Sequence, residues 1–185
     1  MGDLDRRTMP PPRGGYEPPM LTLKDLALSC LAVSERNMRR SAVSSGGLIS
    51  AVPRSSGTYI LEMHLEKPVT ISVGRLGRFL FARGSYLYVG SARGSGGLRG
   101  RIAHHLRRTQ RPHWHIDYLR RATTIERILF STTRRNDECP WSHRLASLTR
   151  ATIPAEGFGS SDCGCPSHLL YLGTHADQGF ADLIC

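Results

Sequence analysis

The chain has 185 residues, of which 39% are hydrophobic, enough for one domain of ordinary size with some additional chain. No run of about 18 apolar residues occurs, so the sequence predicts no transmembrane helix and no membrane partner. The net charge of +10 instead directs attention to polyanions.

The positive charge is carried almost entirely by arginine and is concentrated in one part of the chain. Of the 25 basic residues, 23 are Arg and 2 are Lys. Residues 91–150 contain 13 Arg against four acidic residues, a net charge of +9. Because a guanidinium matches phosphate oxygens in geometry as well as charge, this clustering favours a nucleic acid partner. A high-GC coding bias would explain the preference for Arg over Lys, but not the clustering.

The five cysteines favour a reducing compartment. Their number is odd, they follow no regular disulfide framework, and no secretory signal is recognised near the N-terminus. We therefore expect a cytoplasmic protein.

Composition divides the chain into three parts. Residues 1–55, with a Pro/Gly cluster at 9–19, are expected to form a flexible extension, in which apolar spacing predicts one helix over residues 21–40. Alternatively, this segment is upstream sequence that does not belong to the native protein. Residues 56–173 form the expected domain, and residues 174–185 a C-terminal tail.

The elements predicted within the domain indicate an α+β fold. Alternating residues predict strands from Gly57 onward, in a hairpin around Arg75 and in the stretch ending at Gly90. Two helices, another strand, a third helix that opens with acidic residues and a last strand follow. Because hairpins come first and the later elements alternate irregularly, we expect a small, mainly antiparallel sheet flanked by helices rather than a doubly wound sheet.

A glycine-rich loop connects the strand that ends at Gly90 to the first of these helices. A phosphate-binding P-loop would need a Lys followed by Ser or Thr, which this loop lacks, so its glycines are weak evidence of function. Arg101 and His105 are four residues apart and therefore share one helical face. Together with Tyr88, they could converge on one phosphate. The alternative is a solvated basic face.

Three short motifs resemble, in their order, those of the GIY-YIG nuclease superfamily. They are "GTY" at Gly57–Tyr59, "YVG" at Tyr88–Gly90 and the helical pattern Leu98-x-x-Arg101-x-x-x-His105. The stretches "HWHIDYL" and "GFGSSDCGCPSHL" resemble the Uri-type branch of small uncharacterised endonucleases. The resemblance covers roughly residues 57–172. It implies a GIY-YIG-like fold and a metal-dependent endonuclease that hydrolyses DNA phosphodiester bonds.

The resemblance also implies roles for single residues. Tyr59 and Tyr88 would lie near the attacking water, and either could act as the base. Arg101 would bind the scissile phosphate, and His105 would support the same site. Glu138 would hold Mg²⁺ or Mn²⁺, since a carboxylate oxygen suits such a hard cation. A tyrosine base requires a lowered pKa, which we expect from Arg101 and the metal.

Further basic side chains are expected to contact DNA. They are Arg93, Arg99, His104, Arg107, Arg108, His113 and His115. No obligate protein partner is implied. Glu126 is the rival metal ligand, but it is predicted inside a strand, whereas Glu138 opens a helix as the family pattern requires.

The chain departs from the superfamily pattern in two places. The distance from Tyr59 to Tyr88 is longer than usual, and we assign the excess to an extra hairpin between the two motif strands. The late Asn of many relatives has no clear match, and Ser161 or Asp162 lies roughly at its place.

The histidine-rich stretch before the second helix permits two interpretations. On a helix, His113 and Asp117 would share a face, and an Asp that orients a His is common around metal and phosphate contacts. The alternative is a helix cap with packing through Trp114.

Cys163-x-Cys165-x-x-His168, with Cys139 elsewhere, contains enough ligands for zinc. Its spacing differs from that of structural zinc sites, so the sequence favours a turn with small buried cysteines. Two functions rival the endonuclease. One is a non-catalytic nucleic-acid-binding module on the same fold, and the other is a zinc-stabilised structural domain.

Overall fold

A computed structural model describes residues 29–32, 49–107, 109–133, 137–147 and 151–174. Its strands are β1 (Ser29–Ala32), β2 (Gly57–Leu65), β3 (Val69–Val73), β4 (Gly77–Phe81), β5 (Gly84–Ala92), β6 (Thr123–Ser131) and β7 (Leu169–Gly173). Its helices are α1 (Gly97–Leu106), α2 (His115–Arg120) and α3 (Glu138–Ala146). Arg108, most of the predicted helix over residues 21–40 and the tail from residue 175 lie outside the described residues. None of the helices described has the length and apolar character that a membrane crossing requires.

The predicted α+β fold with a mainly antiparallel sheet is confirmed. Five strands form one antiparallel sheet in the order β1-β6-β2-β5-β7, and β3 and β4 form a separate two-stranded sheet. The β3–β4 hairpin lies in the chain between the two motif strands, β2 and β5, as predicted. These two strands are neighbours in the sheet, with Tyr59 opposite Gly90.

Helices cover both faces of the central strands. Tyr59, Leu61, Tyr86 and Tyr88 belong to a hydrophobic cluster that also contains residues of α1 and α2. On the opposite face, the cluster that contains Leu87, Val89 and Ile60 includes residues of α3. The two faces are distinguished by the period-two alternation of β2 and β5, because successive side chains in a strand point to opposite sides. This alternation places both motif tyrosines on the side of α1.

The predicted helix over residues 21–40 is wrong at residues 29–32. Ser29–Ala32 instead form β1, which pairs with β6 in the register Ser29↔Phe130. Without β1, one side of β6 would be a sheet edge with unpaired backbone groups. Pairing with that edge overrides the helical spacing of the local sequence, since helix propensity is a weak preference.

Residues 49–55, which the sequence assigned to the flexible extension, pack against the domain. Val52 is only 1% exposed and belongs to the main core. The backbone N–H groups of Leu98 and Arg99 donate to the carbonyl oxygens of Ser55 and Pro53, each over 3.0 Å. The first N–H groups of a helix have no acceptor within it, so this segment supplies the acceptors for α1. The start of α1 is therefore engaged by the chain itself and is not a phosphate cradle.

We expect Gly97→Ala to destabilise the fold, because Gly97 has φ +53° and an added Cβ would overlap the carbonyl of Arg54. The loss should be at least about 2 kcal/mol in the free energy of unfolding measured with urea. Gly100→Ala is the matched control, since a Cβ there meets nothing within 4 Å. In the interior of α1 it should stabilise by about 0.5–1 kcal/mol. Equal effects of the two substitutions would contradict this account of the loop.

Candidate active site

A buried hydrogen bond joins the first motif strand to α1. The hydroxyl of Tyr59 in β2 lies 2.7 Å from Nε2 of His105. Both residues are 2% exposed, and their rings are in contact. Tyr59 and His105, which the sequence assigned to one site, are therefore direct partners.

Both tyrosine motifs contain a glycine at a position where a side chain would overlap neighbouring atoms. A Cβ at Gly90 would overlap the phenol of Tyr59, its partner across the β2–β5 pair. A Cβ at Gly57 would overlap the carbonyl oxygen of Ser131 and the side chain of Leu98. Gly90 thus provides space for the Tyr59 ring, and Gly57 lets β6 and α1 approach β2 closely.

His105 is neutral at physiological pH, because burial lowers its pKa to about 4. Its Nδ1 lies 3.8 Å from Oδ1 of Asp117. Burial raises the pKa of Asp117, but His105 and the backbone N–H groups of His113 and Trp114 together hold it well below the usual value. Since Asp117 is ionised, the favoured tautomer of His105 carries its proton on Nδ1. Nε2 then accepts the hydrogen bond from the Tyr59 hydroxyl.

Asp117 connects α2 to α1. Its Oδ2 accepts hydrogen bonds from the backbone N–H groups of His113 (2.9 Å) and Trp114 (3.0 Å). Its Oδ1 lies 3.0 Å from Nε2 of His104. The helix-cap interpretation of this stretch is confirmed, with Trp114 as the N-cap residue. Asp117 also faces histidines, but they are those of α1 rather than His113.

Tyr88 lies beside Tyr59, with ring centroids 6.5 Å apart. Burial raises the pKa of both phenols well above the usual value; Arg101 lowers both, and Glu138 raises both. Arg101 lowers the pKa of both tyrosines as predicted, but burial raises it by more. Both tyrosines are therefore protonated at neutral pH, and neither is a ready base.

Glu138 opens α3, as predicted, and its side chain is 19% exposed. Burial raises its pKa, but His168 and Ser91 outweigh burial, so the carboxyl is ionised. Its Oε1 lies 3.3 Å from Nδ1 of His168. The same carboxylate acts on the pKa of both motif tyrosines, which brings it into one electrostatic cluster with them. Glu126, the rival, lies inside β6.

Arg101 stacks on an aromatic ring beside the tyrosines. Its Cζ lies 3.8 Å from the centroid of Trp114. A cleft of about 240 Å³ is lined by Tyr88, His113, Trp114, His115, Gly159, Ser161 and Asp162. Ser161 and Asp162 therefore share a cleft with Tyr88.

The basic residues expected to contact DNA differ in their availability. Arg93 and Arg107 are exposed, and His113 is exposed and lines the cleft. Arg99 instead donates from Nε to the carbonyl of Val52 (2.6 Å) and from Nη2 to that of Ser50 (3.0 Å). The guanidinium of Arg99 therefore fastens the segment before β2, and a contact of Arg99 with DNA stays a prediction.

Two of the expected histidine contacts are also engaged within the domain, and Arg108 lies outside the described residues. His104 pairs with Asp117. Nδ1 of His115 accepts a hydrogen bond from the N–H of Gly159 over 3.1 Å, and burial lowers the pKa of His115. His115 thereby holds the loop that contains Gly159 against α2 and forms a wall of the cleft.

The sequence did not predict which residues position His105 and Arg101. Asp117 backs His105, and Trp114 supports Arg101. Both lie in "HWHIDYL", where the sequence placed Asp117 on one face with His113 and assigned Trp114 only a packing role. The available signal was an Asp close to several His, but the sequence could not say which His it faces.

A protein-family model described as domain of unknown function DUF123 matches residues 58–184. No curated protein and no solved structure matches the chain. The match covers the first tyrosine motif except Gly57, the whole second motif, and α1, α2 and α3.

We expect acid to destabilise the fold partly through His105. As the pH falls below about 6.5, the unfolded chain takes up a proton that buried His105 refuses until about pH 4. The contribution of His105 to the free energy of unfolding is therefore complete above pH 6.5. Acidification from pH 6.5 to about pH 4 removes about 3 kcal/mol of it.

Urea unfolding at pH 7 and pH 4.5 measures this loss in the wild type and in His105→Gln. The Gln variant retains a polar partner for Tyr59 but cannot titrate, so its stability should change less between the two pH values. Identical changes in both proteins would show that His105 does not titrate as its burial requires.

Proposed function

The chain belongs to the DUF123 family, and we propose that it is a metal-dependent endonuclease that hydrolyses DNA phosphodiester bonds through a site of the GIY-YIG type, Uri branch. The observation that carries the proposal is the Tyr59–His105 hydrogen bond. Arg101 and Glu138 act electrostatically on the same Tyr59 phenol. A nucleophile-activating pair, a fixed cation and a carboxylate in one cluster are the components that phosphodiester hydrolysis needs.

Arg101 is proposed to bind the scissile phosphate. Stacking on Trp114 occupies one face of the guanidinium and fixes its plane, while the N–H edge remains available for phosphate oxygens. Negative charge accumulates on these oxygens in the transition state, and a positioned cation stabilises it without further reorganisation.

The Tyr59–His105–Asp117 arrangement offers a path for the proton of the attacking water. Tyr59 alone is a poor base, because burial raises its pKa. As the water transfers its proton to the Tyr59 oxygen, the Tyr59 hydroxyl proton passes to Nε2 of His105. Asp117, whose Oδ1 lies 3.8 Å from Nδ1 of His105, raises the pKa of His105 against the lowering by burial and would stabilise the resulting imidazolium. We therefore assign the proton path to Tyr59 rather than to Tyr88.

Glu138 fits the proposed Mg²⁺ or Mn²⁺ ligand. Its carboxylate is ionised and partly exposed, and its oxygens have lone pairs beyond those that face His168 and Ser91. Mg²⁺ keeps most of its waters and needs few protein ligands. When bound, the metal would polarise the phosphate or lower the pKa of its water.

We predict that the wild type cuts plasmid or branched DNA in the presence of Mg²⁺ or Mn²⁺. Arg101→Ala and Tyr59→Phe should each reduce the cleavage rate by about 10²–10³-fold, because each removes a positioned donor or proton carrier. Glu138→Ala should abolish metal-dependent cleavage, because it removes the proposed metal ligand. Arg78→Ala is the matched control, since Arg78 in β4 is exposed and is not among the residues expected to contact DNA, and it should alter the rate little. A wild type that cuts no better than Arg101→Ala and Glu138→Ala would refute the nuclease.

The second candidate is a nucleic-acid-binding module that does not cut. The raised pKa of both motif tyrosines favours it, since neither phenol is a base by itself. It predicts DNA binding that weakens steeply with salt, persists in Glu138→Ala and is not followed by cleavage at any metal concentration. Fluorescence anisotropy with labelled DNA across a salt series measures the binding. Salt-independent binding would exclude this candidate.

A further inference from the structure

Three cysteines and a histidine converge beside the start of α3. Cys139 belongs to the first turn of α3, and Cys163, Cys165 and His168 belong to the segment before β7. One ligand atom from each residue lies within 4.8 Å of the others. We propose that these four residues bind one Zn²⁺ ion, which ties the loop to the helix.

The geometry of the cluster is close to that of a closed zinc site. Zinc–sulfur bonds of about 2.3 Å and zinc–nitrogen bonds of about 2.0–2.1 Å place tetrahedral ligand atoms roughly 3.6–3.8 Å apart. The Sγ of Cys163 lies 3.4 Å from Nε2 of His168. The remaining pairs, all within 4.8 Å, reach the tetrahedral separation by rotations of side chains.

The loop that carries three of the ligands is held in place by the backbone. The N–H of His168 donates to the carbonyl of Phe158 over 2.8 Å, and the N–H of Cys163 to that of Ser160 over 3.3 Å. Gly157 and Gly159 adopt positive φ values of 73° and 77°, which let this segment turn tightly. Three of the ligands thus lie on a loop that is already ordered, which reduces the entropic cost of metal binding.

Three thiolates at this spacing require a cation between them, because their like charges repel one another. Bound zinc deprotonates its thiol ligands outright, because its charge dominates the local field. The cluster also uses every one of its members as a zinc ligand, whereas a disulfide would leave one thiol and His168 unused.

The fourth ligand has the partner that metal-bound histidines usually have. With Nε2 directed to the cluster, Nδ1 of His168 faces Oε1 of Glu138 at 3.3 Å. A carboxylate behind a ligating histidine fixes its tautomer and orientation. Zinc would therefore also hold Glu138, although the inference rests on the four ligands and not on the proposed nuclease.

The first experiment measures zinc in the untagged full chain by elemental mass spectrometry. We expect about one zinc ion per chain. Cys163→Ser and His168→Ala should lose it. His143→Ala is the matched control, because Nε2 of His143 lies 3.7 Å from Sγ of Cys165 but belongs to an exposed residue. Retention of zinc by His168→Ala and its loss from His143→Ala would overturn the ligand set.

Cobalt substitution of the wild type keeps the proposal testable if the variants do not fold. Zinc is removed with a chelator and Co²⁺ is added; intense visible absorption with thiolate charge-transfer bands is expected for a tetrahedral thiolate site. Wild-type protein that contains no zinc and stays colourless with Co²⁺ would refute the site. So would protein whose intact mass shows a disulfide among these cysteines.

Glu138→Gln tests the connection to His168 and should weaken zinc binding by about 10–100-fold. A competition titration with a zinc indicator measures the affinity. Unchanged affinity would remove Glu138 from the account of the zinc site. Zinc-loaded wild type that cuts no DNA would refute the proposed nuclease and leave the zinc site standing.

Discussion

The arrangement of the candidate site depends on one buried hydrogen bond, that between Tyr59 and His105. It satisfies two polar groups in the core and fixes the approach of α1 to β2. An unpaired hydroxyl or imidazole at this depth would cost about 1–3 kcal/mol. Gly90 is required because the Tyr59 ring occupies the space of a side chain, and Asp117 because His105 has a second nitrogen to orient. The tyrosine motifs, α1 and α2 are thus constrained by one contact.

Part of the clustered arginine content stabilises the fold and does not form a basic surface for nucleic acid. Several arginines of the basic segment serve the fold: Arg120 is 1% exposed and donates to the carbonyls of His105 and Thr123. Arg127 pairs with Glu62, and Arg99 fastens the segment before β2. Guanidinium groups are well suited to binding several carbonyl oxygens at once. Net charge therefore overstates the basic surface, and the proposal of a DNA substrate rests on Arg101 and on the cleft lined by Tyr88 and by Trp114, on which Arg101 stacks.

Features encoded by local sequence pattern could be predicted. The alternation of residues predicted β2 and β5, and the acidic residues at the start of the third helix predicted that Glu138 opens α3. Contacts between distant residues could not be predicted. The pairing of Ser29–Ala32 with β6, the direction of Asp117 towards α1 and the approach of Cys139 to the later cysteines all depend on how elements pack. The raised pKa of Tyr59 has the same origin, because burial is a property of the whole fold.

Residues 49–55 pack on α1, so the part of the chain that folds together begins before the part that matches the family model. The DUF123 match begins at residue 58, after the carbonyls of Pro53 and Ser55 that bind the first N–H groups of α1. A fragment cut at that boundary would also lack Val52 and the strand Ser29–Ala32. Its first helix would begin with unsatisfied donors and its sheet would gain an open edge. The similarity boundary thus falls inside a cooperative structure, and an isolated domain that begins at residue 58 would report on a weakened scaffold rather than on the site itself.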